Sequence, residues 1–481
     1  MLSLAFVEMI SGAFRVKWWK YRYVAFTALV VNLMLLNHFS VGSALTEFVR
    51  PSLATGAATQ NAHHRNRVAA NSRAQAALAG PPITPPTLSL DDYDFNGPYI
   101  GWPLARVCNE TQWQSGFVFV CDNNSGGIGN IRNFILTCIR YAIEAGASGI
   151  ILPKIQRRSE EDLANIHTTG FQPFDYFFDE EHFRNSMGAV CPQMTIYDSA
   201  DTIPHHENKT EALEFYPKDL NTNDGCDDRG VNRHLDQFRT KLDEWATKYG
   251  KVPSEARPVI LRFRWATFFE WPIMRDGPEF AATFGDLLRI RKDIQELAAT
   301  AITEMAKFTG ENTGKAQALS PPKYLGVHLR TESDALGFWP DFETQSEGYL
   351  KQAASSQLGY AYLASGNATE GHRFGDMALK RLGLQTTTKM ELLKGDKLQQ
   401  LTDLSWDQQA LVDFLVLQKS THFTGCSFSS FAMNIAIKRH LMTDGIFSRA
   451  WRSPGDQYST LVGRFDNWFG DWMFMYECMW P

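Results

Sequence analysis

Residues 117–152 set the class of the chain. Phe117–Cys121 (FVFVC) is a short apolar run bounded by a turn, the signature of a buried strand. Asp122–Asn130 (DNNSGGIGN) follows as a glycine-rich turn. Beyond it Ile131, Phe134, Ile135, Cys138, Ile139 and Ala142 recur at helical spacing, which predicts a helix ending at Gly146. Gly149–Leu152 reads as the next strand, closed by Pro153. Strand, glycine turn, helix and strand in this order form one nucleotide-fold unit and place the body in the α/β class.

The rest of the body extends the pattern. Val259–Trp265 reads as a further strand, whereas residues 155–255 show no usable period. Thr309–Lys323 (TGENTGKAQALSPPK) breaks the chain, so we place a boundary there, with domains at 91–315 and 316–481. In the second, Tyr324–Arg330 and Tyr360–Ala364 read as strands, and a helix ends near Gly383. Apolar Leu411–Leu417 leads to His422–Phe431, and a helix is expected from about Phe431 to His440. The Trp-rich tail Phe465–Trp480 is expected to be a helix packed on the body. A chain of 481 residues has room for two such domains, and its 44% hydrophobic, 21% charged composition is globular.

The N-terminus reads differently. Residues 1–22 carry Arg15, Lys17, Lys20 and Arg22 ahead of an apolar run beginning at Tyr23. We expect a basic cytoplasmic segment at 1–22 and a signal-anchor helix at 23–45, with Trp18, Trp19, Tyr21 and Tyr23 as its aromatic belt. The rival is a cleaved signal peptide with its core at Val24–Leu36 and Gly42 and Ala44 near the cut; the long basic leader favours the anchor. Residues 46–90, rich in Ala, Asn, Gln and Pro, read as a disordered stem ending in Gly80–Thr87 (GPPITPPT). Either reading sends the body into the secretory pathway, to the ER or Golgi lumen. The sequons at Asn109, Asn123, Asn208 and Asn367 agree. So do the seven cysteines, all beyond residue 107, which allow up to three disulfides and one free thiol, with pairing left open. No CxxC pair suggests zinc. Residues 1–80 hold a net charge of +6, so the other 401 carry −12 against the total of −6. A body this acidic is a poor nucleic-acid partner.

Three segments can carry chemistry. Gly126–Asn130 (GGIGN) opens a helix, where small residues let backbone N–H groups approach an anion; it matches neither a Walker loop nor the dinucleotide fingerprint, since Arg132 occupies the third glycine position. Taken alone, it is as readily a plain tight turn. His328 and Arg330 share one face at the C-terminal end of a strand, where α/β folds bind ligands, and Arg330 offers a fork of donors to a diphosphate. Asp334 lies four residues on; the plainer reading is a surface Arg330 paired with Glu332 or Asp334. Ser427, Ser429 and Ser430 crowd a turn before a helix, which makes either an anion cradle or an ordinary cap.

Together and in this order, the segments resemble the GDP-fucose protein O-fucosyltransferases. The family's G-x-G-N loop reads Gly127-Ile128-Gly129-Asn130, its H-x-R-x-x-x-D runs from His328 through Arg330 to Asp334, and its G-x-x-x-S-S-F runs from Gly425 through Ser429-Ser430-Phe431. The resemblance implies two facing Rossmann-like domains of the GT-B type, with the site in the cleft. It implies an inverting transfer of fucose from GDP-fucose to a glycoprotein or glycan hydroxyl, with no metal. Arg330 would neutralise the departing diphosphate and Asn130 would sit near the fucose and acceptor. His328 and Asp334 would help hold the nucleotide, and Gly127, Gly129, Ser429, Ser430 and Phe431 would cradle phosphate.

Two departures stand out. Members often carry an acidic A-T-D where this chain has Ala364-Ser365-Gly366-Asn367, and one branch places a Glu base in the loop that here has none. Asp122, Asp334 and the acceptor itself remain as candidate bases. Two alternatives follow: a lumenal sugar-binding protein with this fold and no turnover, and a transferase using another nucleotide sugar. A metal-dependent site at Asp92-Tyr93-Asp94 lies ahead of the first strand and is set aside. A solvent-facing ligand cation contributes little to stability, so Arg330→Ala is expected to abolish activity at an unchanged thermal midpoint. Activity is expected to survive EDTA.

Overall fold

The computed structural model describes residues 95–166, 168–220, 234–269, 271–310, 322–334, 339–443, 445, 455–463 and 478–481. The expected leader, anchor at 23–45, stem at 46–90, Asp92-Tyr93-Asp94 and all but the end of the Trp-rich tail lie outside the described residues. Among the described residues no helix is long and apolar enough to cross a membrane.

Two five-stranded sheets form the body, and every pairing within them is parallel. The first contains β1 (Gln114–Val120), β2 (Ala147–Ile151), β3 (Thr195–Tyr197), β4 (Leu213–Phe215) and β5 (Val259–Phe263), in the order β3-β2-β1-β5-β4. The second contains β6 (Leu325–His328), β7 (Tyr360–Ala364), β8 (Gln385–Thr387), β9 (His422–Cys426) and β10 (Ser459–Val462), in the order β8-β7-β6-β9-β10. The second order is that of a doubly wound fold. Its topological switch point lies between β6 and β9, where such sheets bind ligands beyond their strand ends. The expected α/β class with parallel sheets is what the chain adopts. Strands end earlier than their apolar runs: β6 stops at His328 and β5 at Phe263, with Trp265 at φ 58° turning the chain away.

Six helices matter for the site: α1 (Ile128–Ala145), α2 (Lys292–Phe308), α3 (Phe342–Ser356), α4 (Ala368–Leu382), α5 (Trp406–Gln418) and α6 (Ser430–Thr443). Helix α1 starts without a side-chain cap at Gly127 and ends at Gly146, whose φ of 72° suits glycine. It is buried on almost every side, so its polar residues need internal partners. Arg132 donates to Asn434 Oδ1 on α6 at 2.6 Å and to the carbonyls of Gly285 and Pro481 at 3.0 Å. Arg140 forms a bidentate pair with Asp276 at 2.8 Å through both nitrogens. Fully buried Trp480 donates its backbone N–H to Asn133 at 3.1 Å and its indole N–H to Thr137 at 3.2 Å, packing the chain's last residues between α1 and α6. Helix α2 precedes the sequence break yet packs on α5, so one apolar core runs through both sheets.

Two disulfides brace the first half: Cys121–Cys138 ties the end of β1 to α1, and Cys108–Cys191 joins the helices Trp102–Glu110 and Glu180–Val190. Cys478 is also disulfide-bonded, Cys426 is a buried free thiol, and Cys226 lies outside the described residues.

Candidate active site

The helices that follow β1 and β9 meet at their N-termini. A Cβ on Gly129 would stand 2.4 Å from the carbonyl oxygen of Ser430, so glycine is what lets α1 and α6 touch there. The turn before α1 uses Gly126 at φ 89°. It is braced by Asn123, which accepts from the Trp265 N–H at 2.6 Å, and by Asn124, which donates to the Lys154 carbonyl at 2.6 Å. The turn before α6 puts buried Phe428 at φ 66°, a strained value for a bulky side chain. The N-terminal turns of both helices therefore face one place, where the two dipoles favour an anion.

That place is a cavity of about 460 Å³ between the two sheets. Of the residues singled out from the sequence, Gly127, Asn130, His328, Arg330, Asp334, Ser429, Ser430 and Phe431 line it. Gly129 does not; it lies beneath, at the helix contact. Ser427 is fully buried outside the cavity wall. Asp122 is not in the wall either and pairs with Arg262 at 3.2 Å.

Arg330 is held from several sides. Its backbone N–H donates to Gln345 Oε1 at 2.9 Å, and Gln345 Nε2 returns a bond to the Arg330 carbonyl at 2.8 Å. Tyr349, one turn along α3, donates to the His328 carbonyl at 2.8 Å. The guanidinium pairs with Glu332 and, at 2.8 Å, with Asp334. Its side chain is 12% exposed, which corrects the expectation of a solvent-facing cation. Both readings of the pair are thus partly met: Arg330 is salt-bridged, and it faces the cavity. Burial disfavours its charge, but Glu332 and Asp334 more than compensate and raise its proton affinity above the ordinary arginine value. Burial likewise opposes ionisation of Asp334, yet Arg330 and Arg158 hold its carboxyl below the usual range. His328 stacks on Phe431 with ring centroids 4.5 Å apart. Burial pushes its imidazole down to about 4, with Glu332 opposing and Arg330 adding to the shift, so it is neutral at physiological pH.

Two cavity residues, Arg158 and Asp413, gave no signal in the sequence, and Glu332 reads there only as a surface partner of Arg330. Arg158 crosses from the first half to pair with Asp334 and lies 5.4 Å from the Trp406 ring. Glu332 accepts the Gly366 N–H at 2.6 Å, and a Cβ on Gly366 would stand 2.8 Å from the same oxygen. A carboxylate thus reaches the turn after β7 where the A-T-D acid is missing, but from a different strand. Asp413 accepts from Tyr362 at 2.6 Å and pairs with Lys389, and both Asp413 and Lys389 line the cavity. Among the described residues no group of three His, Cys, Asp or Glu is placed to hold a metal ion.

Solved structures align with the chain over much of its length. POFUT1 in complex with GDP aligns at 14% identity and a TM-score of 0.42, covering 74% of this chain and 100% of that one. POFUT1 in complex with GDP-fucose aligns at 14% and 0.41, covering 73% and 99%. A mutant of Arabidopsis thaliana FUT1 in complex with GDP aligns at 12% and 0.35, covering 70% and 72%. No curated protein matches the sequence. The model of one family, described as GDP-fucose protein O-fucosyltransferase, matches residues 117–442, a span that holds all three cavity-forming turns, and the chain belongs to that family of glycosyltransferases.

Proposed function

We propose that the protein transfers fucose from GDP-fucose to a hydroxyl of a protein or glycan, with inversion and without a metal. One observation carries the reading: in a chain of this family, two helix N-termini and Arg330 converge on a single cavity between the sheets. We read it as a facing two-domain arrangement of the GT-B kind that takes the donor in its cleft. The cavity falls in the size range of small-molecule sites.

The chemistry follows from the charges. The acceptor oxygen attacks the anomeric carbon from the face opposite the diphosphate, and the bond to the phosphate oxygen breaks with its electron pair. The N–H groups before α1 and α6, the hydroxyls of Ser429 and Ser430, and Arg330 hold the charge that develops on that oxygen, the task a metal performs elsewhere. Neutral His328 and Phe431 form an apolar flank that excludes water. Asn130, in α1's first turn, lines the cavity and orients the acceptor hydroxyl. Asp334, held acidic by two arginines, is a poor base, so the proton leaves late, to the departing phosphate or to water.

The body is assigned to the lumen of the ER or Golgi, tethered through the apolar segment at 23–45. The two disulfides and the exposed sequon at Asn208 support this placement. The test is turnover: full-length protein, GDP-fucose and EDTA, with released or transferred fucose followed by NMR. A sugar product of configuration opposite to the donor's is expected. No turnover by a folded, donor-binding sample would leave the binding-protein reading in its place.

A further inference from the structure

Arg158 belongs to the first half of the body, yet its contacts lie in the second. Its guanidinium pairs with Asp334 and stacks near Trp406, and its backbone N–H donates to Asp407 Oδ2 at 3.3 Å. On its own side it donates to the Leu163 carbonyl at 2.8 Å. The Arg158 and Asp334 side chains are 10% and 9% exposed, and both line the cavity. Arg158 and Arg330 bond the same oxygen, Asp334 Oδ2, while Oδ1 is buried without a partner. The four charges of Arg158, Arg330, Glu332 and Asp334 sum to zero in one cluster. Take Arg158 away and the cluster is an anion, facing a ligand that is itself an anion.

We infer that Arg158 is a positioning residue of the donor site, whose task is to neutralise Asp334 from across the cleft so that Arg330 can turn its charge to a diphosphate. This deepens the proposed function and rests on it. The mechanism is a charge balance: with Asp334 held by Arg158, Arg330 can share its fork with an incoming phosphate without leaving a bare carboxylate beside it. It also means the donor site is complete only when both halves are in contact, because the first half supplies the compensating cation.

A double-mutant cycle on the full chain tests this. GDP and guanosine are titrated calorimetrically into the wild type, Arg158→Gln, Asp334→Asn and the double variant. Arg158→Gln should weaken GDP about tenfold or more and guanosine by less than about twofold, because only the phosphates feel the uncompensated charge. In the Asp334→Asn background the same change should cost less than about threefold, since no carboxylate is left to neutralise. Arg158→Lys, which keeps the charge, should stay within about threefold of wild type. If Arg158→Gln folds and binds GDP as the wild type does, the inference is wrong. Equal losses in both backgrounds would make Arg158 a direct ligand of the donor and also overturn it. Equal losses of GDP and guanosine would reduce Arg158 to a structural brace. A wild type that binds no guanine nucleotide would sink the functional reading and this inference with it. Binding by the wild type without the predicted cycle sinks the inference alone.

Discussion

Gly129→Ala changes one methyl group outside the cavity and should disable the site. The added Cβ would lie 2.4 Å from the Ser430 oxygen, 2.6 Å from its carbonyl carbon and 2.9 Å from the Phe431 nitrogen, all backbone atoms that cannot rotate away. Ordinary contact begins at 3.4 Å, so α1 and α6 must separate by the difference from 2.4 Å, about 1 Å. Overpacking of this kind costs about 1–3 kcal/mol, offset by up to about 1 kcal/mol from the better helix propensity of alanine. The effect on the ligand is larger. The N–H groups of the two helix ends share one target, and a displacement of about 1 Å can cost on the order of a hundredfold in a positioned site. Gly127→Ala is the control. It lies two residues away and lines the cavity, and its Cβ meets nothing within 4 Å. The assay is GDP calorimetry beside thermal unfolding. Gly129→Ala should unfold earlier and bind GDP weakly, while Gly127→Ala should keep its thermal midpoint and lose affinity only if the ligand approaches that backbone. Wild-type stability and affinity in Gly129→Ala would refute the claim that the two helix ends form the anion site by contact.

Three further outcomes are expected. Arg330→Ala should lose donor binding and also about 3 kcal/mol of stability in chemical denaturation, because it takes the cation from buried Glu332 and leaves Asp334 to Arg158 alone; an unchanged midpoint would return Arg330 to the surface. His328 takes up a proton at 6.5 when unfolded but only near 4 when folded, so unfolded chains bind the extra proton between these values. Stability should therefore fall by up to about 3 kcal/mol as pH drops through that window, and His328→Gln should flatten this limb; an identical acid limb in the variant would disprove the assignment. Replacing Cys121 and Cys138 by Ser opens the bridge across the glycine turn, and should cost about 2–4 kcal/mol together with some GDP affinity; full affinity would show that the turn holds its shape unaided.

Much of the frame was legible because strands and helices there are long enough to show a period. The turn before α1, the C-terminal limit at Gly146, strand β7 and the start of α6 all follow from local pattern. Strands β3 and β4, three residues each, are too short for alternation to register, and they fall in the segment that gave no reading. The same segment contains Arg158, whose partner is 176 residues away, a contact with no trace in local sequence. The burial of Arg330 was misjudged for a related reason. A motif names the residue that faces a ligand, but not Gln345, Tyr349, Glu332 and Arg158, which enclose it. Gly129 was read as a phosphate contact, whereas its lack of a side chain serves the packing of two helices. Phe428 at positive φ could not have been foreseen, since its residue type argues against that conformation.

The most direct test of the account is a calorimetric panel on the full chain without added metal: GDP, GDP-fucose, GDP-mannose and UDP sugars, each against wild type and Arg330→Lys. The account predicts binding of the guanine nucleotides, GDP-fucose foremost, and a marked loss in Arg330→Lys, which keeps the charge but not the fork. Binding of UDP sugars instead, or of no nucleotide by a folded sample, would contradict it.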